Sequence, residues 1–460
     1  MLGCVLMDAT ASPRLVPPAP PRPARPLSLL PFLRAVRTNA IAMWPDAAYE
    51  QPVLVGDMAG RTSILLNAPD AIHHVLVGNP GNFRRTPASI RILRPLTGEG
   101  LLLSEGDTWK LQRRTVAPAL APRVMPMLAS HIARSAEATL AILPTDRPLN
   151  LLAAMQTMAL DIAGRSMFSL DMQSHQDALR ELMMTFAERH AHPRMLDMLL
   201  PPSIPTPRDI GRAWFRKRWT RFVDSLIAAR LAEPPPDVPR DLLDLLRAAR
   251  DPETGIGFTP AQLRDQVATL LLAGHETTAV TLFWALITLA SVPAEQDRIA
   301  AEAARLDLSP DGAHAAMASL TRTRAVVNET LRLFPAAFTL ARQVIQADQV
   351  AGIALPRGAL LLIAPWVLHR HRTLWTDPEA FDPDRFMPDA PTPPRFAFMP
   401  FGAGPRVCVG AQFALAEAVL ALAALLRRFR VERADDRPVI PVGIVTTQPD
   451  HPAAVRLIRR

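Results

Sequence analysis

"FMPFGAGPRVCVGA", Phe398–Ala411, gathers three glycines, two prolines and Arg406 around Cys408. The only other cysteine in the 460 residues is Cys4, close to the start of the sequence. A framework of paired cysteines is therefore absent, and the pattern gives no support to an oxidising compartment. A lone cysteine in a shaped loop is either a small buried hydrophobe or a reactive or ligating thiolate. The next stretch, "VGAQFALAEAVLALAALLRRF", has the apolar pattern of a helix, so Cys408 falls at or just before a helix N-terminus. That position favours an anion and is expected to lower a thiol pKa. Gly402, Gly404 and Gly410 let the backbone turn tightly and approach a partner closely, and Arg406 offers a fixed cation. A flat, bulky, anionic ligand accounts for all of these together.

The ten residues "FGAGPRVCVG", Phe401–Gly410, resemble the haem-ligand loop of cytochrome P450 enzymes, F-G-x-G-x-R-x-C-x-G, at all six defined positions. The resemblance implies haem b (iron protoporphyrin IX) with Cys408 as its axial iron ligand, Phe401 near the sulfur and Arg406 on a propionate. Three further stretches agree in the family's order. "ETLR", Glu329–Arg332, is similar to the E-x-x-R motif, whose spacing puts carboxylate and guanidinium on one helix face. "FDPDRF", Phe381–Phe386, supplies the family's third partner as Arg385, and the implied Glu329–Arg332–Arg385 network is structural. "AGHETT", Ala273–Thr278, is similar to A-G-x-D/E-T-T. There Gly274 leaves room for dioxygen, Thr277 is the candidate hydroxyl and Glu276 the candidate acid of a proton relay, and a helix disturbance is expected. "WKLQRR", Trp109–Arg114, resembles W-x-x-x-R, whose Trp109 and Arg113 contact a propionate in the family. Arg342 occupies another propionate-binding position. His369 also falls in a familiar place, and the motif assigns it no role.

Apolar residues at three- and four-residue spacing predict helices over Met127–Leu143, Leu149–Phe168 and Ala261–Ala290, the last apolar on most sides and hence central. Short strand signals lie near the start ("PVLVGDM", "TSILLN") and after residue 340 ("ARQVIQ", "QVAGIALP", "ALLLIAPW", "VRLIRR"). The fold class expected is mainly α with a minor β part, a long central helix over haem and small peripheral sheets whose strands come from both ends of the chain. Length alone suggests roughly three domains. The resemblance implies one, residues 27–460, after a proline-rich tail over 1–26 that is extended rather than helical. The proline-punctuated Glu188–Trp219 reads as a surface loop or a mobile cover over a pocket.

The formal charge is +8, carried almost wholly by arginine, with Lys110 and Lys217 the only lysines. No polybasic tract with interleaved aromatics appears, which argues against nucleic-acid binding. "MLGCVLMDAT" is far shorter than the ~20 apolar residues of a membrane span, so no membrane anchor is expected and the localisation expected is cytoplasmic. The function implied is a haem-thiolate monooxygenase that oxidises a lipophilic organic substrate with dioxygen. Its electrons come from a separate ferredoxin-type or flavin redox partner, steered to Lys110, Arg114 and the neighbourhood of Arg406. The alternatives are a peroxide-driven peroxygenase or decarboxylase on the same fold, which typically lacks the acid–alcohol pair, and a non-catalytic haem-binding sensor. By family analogy the substrate meets Phe83–Leu103, Glu188–Trp219, Ala273, Phe338–Thr339 and Ile444–Thr446.

Overall fold

A computed structural model describes residues 14–460 except 59, 171, 233, 235 and 236; Cys4 lies outside the described residues. The central helix runs Pro260–Ala290. A reciprocal cap starts it: the Thr259 hydroxyl accepts from Gln262 N–H at 3.3 Å, and Gln262 Oε1 accepts from Thr259 N–H at 2.9 Å. Pro260 at the first turn needs no N–H partner there. The helix is long and apolar enough to cross a membrane, but most of it is buried inside the protein. It stays α-helical through Ala273–Thr278, so the expected disturbance is not present. Helices Leu151–Phe168, Thr321–Leu333 and Ala411–Arg428 pack around it, and Met125–Ile142 backs the first and last of these. All three helices predicted from periodicity form within two residues of their expected ends.

The strands are β1 (Val53–Met58), β2 (Arg61–Leu66), β3 (Phe83–Arg84), β4 (Leu149–Asn150), β5 (Leu340–Val344), β6 (Asp348–Val350), β7 (Ile353–Leu355), β8 (Leu360–Ile363), β9 (Phe429–Arg433), β10 (Pro441–Gly443), β11 (Thr447–Pro449) and β12 (Ala454–Arg459). They form a five-stranded sheet β1-β2-β8-β5-β3, a three-stranded sheet β4-β12-β9 and the pairs β6-β7 and β10-β11. The chain's early and late parts meet where β2 runs parallel to β8, with Ile64 opposite Leu361. The predominantly helical body with small peripheral sheets is the fold class expected from the sequence.

Residues 14–26 carry neither helix nor strand and lie against the body as a strap. Leu15 O accepts from Phe381 N–H at 2.8 Å, and Pro23 O accepts from Asp46 N–H at 2.9 Å. Arg14 reaches Asp382 at 3.2 Å. Arg22 pairs with Glu379 and sits 3.7 Å from the centre of the Tyr49 ring. The segment expected as a loop or cover behaves differently from its proline content: Met195–Leu199 is a short helix, and Pro207–Leu231 is one long one.

Candidate active site

The loop before helix Ala411–Arg428 is fixed by backbone contacts that only certain residues permit. Gly402 and Gly404 have φ of +72° and +71°. A Cβ on Gly404 would lie 2.0 Å from Leu76 O. Cys408 N–H donates to Phe401 O at 2.9 Å and closes the turn. Behind the loop, Arg332 binds Glu329 through two bonds of 2.7 Å, both side chains fully buried. Arg332 also donates to the carbonyls of His369, Pro378 and Ala380. Arg385 Nε stands 3.7 Å from Glu329, an ion pair without a hydrogen bond. His369 links this network to the loop. Its Nε2 accepts from Met399 N–H at 2.9 Å, and Nδ1–H faces Arg332 O at 3.2 Å. Burial pushes its pKa down to about 3, so the ring is neutral and this tautomer is the one both bonds require.

The Cys408 side chain opens into a cavity of about 370 Å³. Phe401, Gly402 and Val409 lie beside it, Ala273, Gly274, Thr277 and Thr278 come from the central helix, and Leu101, Leu102, Trp109 and Leu340 line the walls. A Cβ added to Gly274 meets nothing within 4 Å, so the helix leaves open space there. The thiol is pushed up by burial, against the Gly410 N–H and the charge of Arg113.

Four arginines share the cavity: Arg85, Arg113, Arg342 and Arg406. Arg406 sits 4.2 Å from the Trp109 ring centre, donates to Ser104 O at 2.7 Å and pairs with Glu105. Arg113 donates to Val407 O at 3.0 Å, tying its helix, Gly106–Val116, to the cysteine loop. Burial first, then the charges of Arg342 and Arg406, push Arg85 down to about 9. Burial lowers Arg342 and Arg406 too, and Glu105 is the one carboxylate acting on these three among the described residues. Arg85 Nε is buried with no hydrogen-bond partner. So much crowded positive charge beside an apolar slot and a thiol fits a flat apolar ring system with anionic arms, and hence haem. The sequence reading missed Arg85. Its visible signal was the doubled arginine after β3, which by itself names no ligand.

The relay candidates divide. Thr277 lines the cavity and its hydroxyl donates to Ala273 O at 2.6 Å. Glu276 does not line it. Its carboxyl turns to the β10–β11 hairpin, where Gln448 donates to Oε1. Burial raises its pKa, opposed by hydrogen bonds from Gln448 and Thr446. Next along the helix, Thr278 donates at 2.9 Å to Glu417, a fully buried carboxyl whose other oxygen has no partner and whose pKa burial raises far above normal. The signal for Glu417 was a single acid in an otherwise apolar helix.

A second cavity, about 330 Å³, lies between helix Leu29–Thr38, helix Pro87–Thr97, the sheet and the 191–198 segment. Ile92, Leu93, Met198, Phe338, Leu362 and Ile444 make its walls apolar. The Thr339 hydroxyl in this wall is buried and unpartnered. Arg91, beside Ile92 on the same helix, ties that helix to the 201–209 segment. It donates to Asp209 at 2.7 Å and to the Pro201 and Ile204 carbonyls at 2.5 Å each.

Of the expected partner-docking cations, Lys110 pairs with Asp107 at 2.9 Å, and Arg114 binds Asp251 at 2.7 and 3.1 Å and reaches Glu253 at 3.0 Å. Asp107 lies three residues before Lys110, whereas Asp251 and Glu253 come from a distant part of the chain.

The family model described as cytochrome P450 matches residues 20–453. Cyclooctatin synthase of Streptomyces melanosporofaciens is 33% identical over 342 residues, covering 74% of each chain. Cyclooctat-9-en-7-ol 5-monooxygenase of the same organism is 31% identical over 370 residues, covering 79% of each. Among solved structures, the cytochrome P450DA heme domain superimposes with a TM-score of 0.78 at 25% identity, covering 97% of this chain and 99% of that one.

Proposed function

The chain belongs to the cytochrome P450 family, and from that premise we propose that it inserts one oxygen atom into a lipophilic substrate, with Cys408 as the residue that would hold the haem iron and a separate protein as electron donor. It is a cytochrome P450 monooxygenase whose cofactor is haem b. When bound, haem supplies the reductive activation of dioxygen, and thiolate ligation favours O–O cleavage.

The chain's own residues hold, shield and supply protons. Arg85, Arg113, Arg342, Arg406 and Trp109 would receive the propionates, and Phe401 would shield the Cys408 sulfur. Gly274 leaves room over the ring. Thr277 presents a hydroxyl to the cavity, and Glu276 serves as the acid that feeds it. Glu329, Arg332, Arg385 and His369 fix the loop from behind.

The substrate is mainly hydrocarbon, because the second cavity is apolar, and it carries a hydroxyl or carbonyl that Thr339 meets. The name of one relative, cyclooctat-9-en-7-ol 5-monooxygenase, is that of an enzyme acting on an unsaturated alcohol and agrees with that chemistry. The electron donor is a ferredoxin-type or flavin protein. Lys110 and Arg114, both paired with acids of this chain, would exchange those partners for the donor's carboxylates on docking.

The observation that carries the reading is that the Cys408 thiol and the Thr277 hydroxyl share one cavity with four crowded arginines. Carbon monoxide on the reduced protein tests it. The absorption band typical of thiolate haem should appear, vanish in Cys408→Ser and persist in Cys4→Ser. Persistence of the band in Cys408→Ser would refute the assignment.

A further inference from the structure

Glu276 is held away from the cavity it is assigned to serve, and what holds it is specific. The Gln448 amide nitrogen donates to Glu276 Oε1 and to Thr446 Oγ1, the latter at 2.8 Å. The hairpin that carries Gln448 is pinned. Trp284 of the central helix donates to Thr447 O at 2.8 Å. Thr447 Oγ1 donates to Pro335 O at 2.6 Å, and its N–H to Ala336 O at 3.2 Å. Gln448 itself is partly exposed, so its side chain spans from the buried carboxyl toward water.

Resting on the monooxygenase reading above, we propose that Gln448, seconded by Thr446, is the positioning residue of the relay acid. Its amide stations the Glu276 carboxyl against the C-terminal hairpin and decides both which way the acid faces and when it releases its proton. The carboxyl takes a proton from water at the hairpin end and delivers it toward Thr277 Oγ1; the carboxylate left behind is reprotonated from water.

Among the described residues, no charged side chain acts on Glu276; burial and the two hydrogen bonds set its titration. The neighbouring ionisable groups are otherwise engaged. His275 is buried and neutral against the Gln156 carbonyl, Glu417 is bonded to Thr278, Asp161 to Arg165, and Glu329 to Arg332. Gln448 favours the carboxylate over the acid. Removing it should therefore keep Glu276 protonated to higher pH.

The test is Gln448→Leu in the haem-loaded protein, with two readouts. One is the infrared band of the protonated Glu276 carboxyl in the resting ferric protein, identified by its loss in Glu276→Gln and titrated with pH. The other is coupling, the product formed per electron pair. The titration midpoint should rise by about one unit or more, and the alkaline limb at which coupling falls should move up with it. In a Glu276→Gln background, Gln448→Leu should change coupling no further. An unmoved midpoint, or an equal change in coupling without Glu276, overturns the proposal. Wild-type coupling in Glu276→Gln removes the acid itself, a different failure that also defeats the underlying proton-relay reading. If Gln448→Leu does not fold, Gln448→Asn, which keeps the amide but shortens its reach, should shift the midpoint in the same direction.

Discussion

At the scale of single residues, the cysteine loop shows which letters are compelled. Gly404 and Gly402 share a left-handed φ, but only Gly404 faces a backbone oxygen at a distance no Cβ tolerates. Gly402→Ala should cost ~1–2 kcal/mol, the penalty of the conformation alone. Gly404→Ala should cost more, at least ~3 kcal/mol, because Leu76 O must also move. Thermal unfolding of the two variants checks the order; equal losses would mean the helix carrying Leu76 yields freely. The loop, the central-helix motif and the E-x-x-R pair were legible because each is written within a few adjacent positions. Arg85, Gln448 and the bridging role of His369 were not. Their partners lie far along the chain: Gln448 is 172 residues from Glu276, and His369 is 37 from Arg332 and 30 from Met399. No local spacing encodes such a meeting.

At the scale of elements, the contrast is between helix Pro260–Ala290, read almost to the residue, and helix Pro207–Leu231, read as loop. The second helix buries Arg212, Phe215, Trp219, Val223, Leu226 and Arg230. Two of these six are arginines, matched to Asp197 and Asp209 and to Asp241 and Asp244. The apolar stripe that announces a helix was therefore broken by buried ion pairs, three of whose four acids, Asp197, Asp241 and Asp244, lie outside the helix. The same region is locked to helix Pro87–Thr97 by Arg91 and by Trp219, whose Nε1–H donates to Leu96 O at 2.6 Å. Arg91→Ala removes the donor to the Ile204 carbonyl and one of several donors to Asp209 and to the Pro201 carbonyl, a local loss of ~1–2 kcal/mol. Limited proteolysis should cut within 193–209 several-fold faster in that variant, while the carbon monoxide band stays unchanged. Unaltered cleavage would show that the cover is held by its apolar contacts instead.

At the scale of the whole molecule, buried neutral histidines tie stability to pH. Burial holds His275 down to about 4 and His369 to about 3. An unfolded histidine takes a proton near pH 6.5. As pH falls from about 6 to 4, the unfolded state binds protons that the native state refuses, and each ring removes ~1.4 kcal/mol of stability per pH unit. Glu276, Glu329 and Glu417, raised by burial, act with the opposite sign, their contribution fading as pH rises. His369→Gln should flatten the acid-side fall of the unfolding temperature relative to wild type whatever its absolute stability; parallel curves would mean the ring is charged in the native state. The strap over residues 14–26 adds a dimension of time. Arg14 and Arg22 find their carboxylates at Asp382 and Glu379, and β2 finds β8 only after residue 360. Asp46 and Tyr49 follow the strap closely in the chain, but a ribosome adding ~5–20 residues per second keeps it waiting roughly 20–70 s for Glu379, Phe381 and Asp382. Through that interval the growing chain carries an unpaired strand edge and an unclosed cofactor slot. A chaperone that shields the growing chain over that interval should therefore raise the yield of folded protein, measured against synthesis without it.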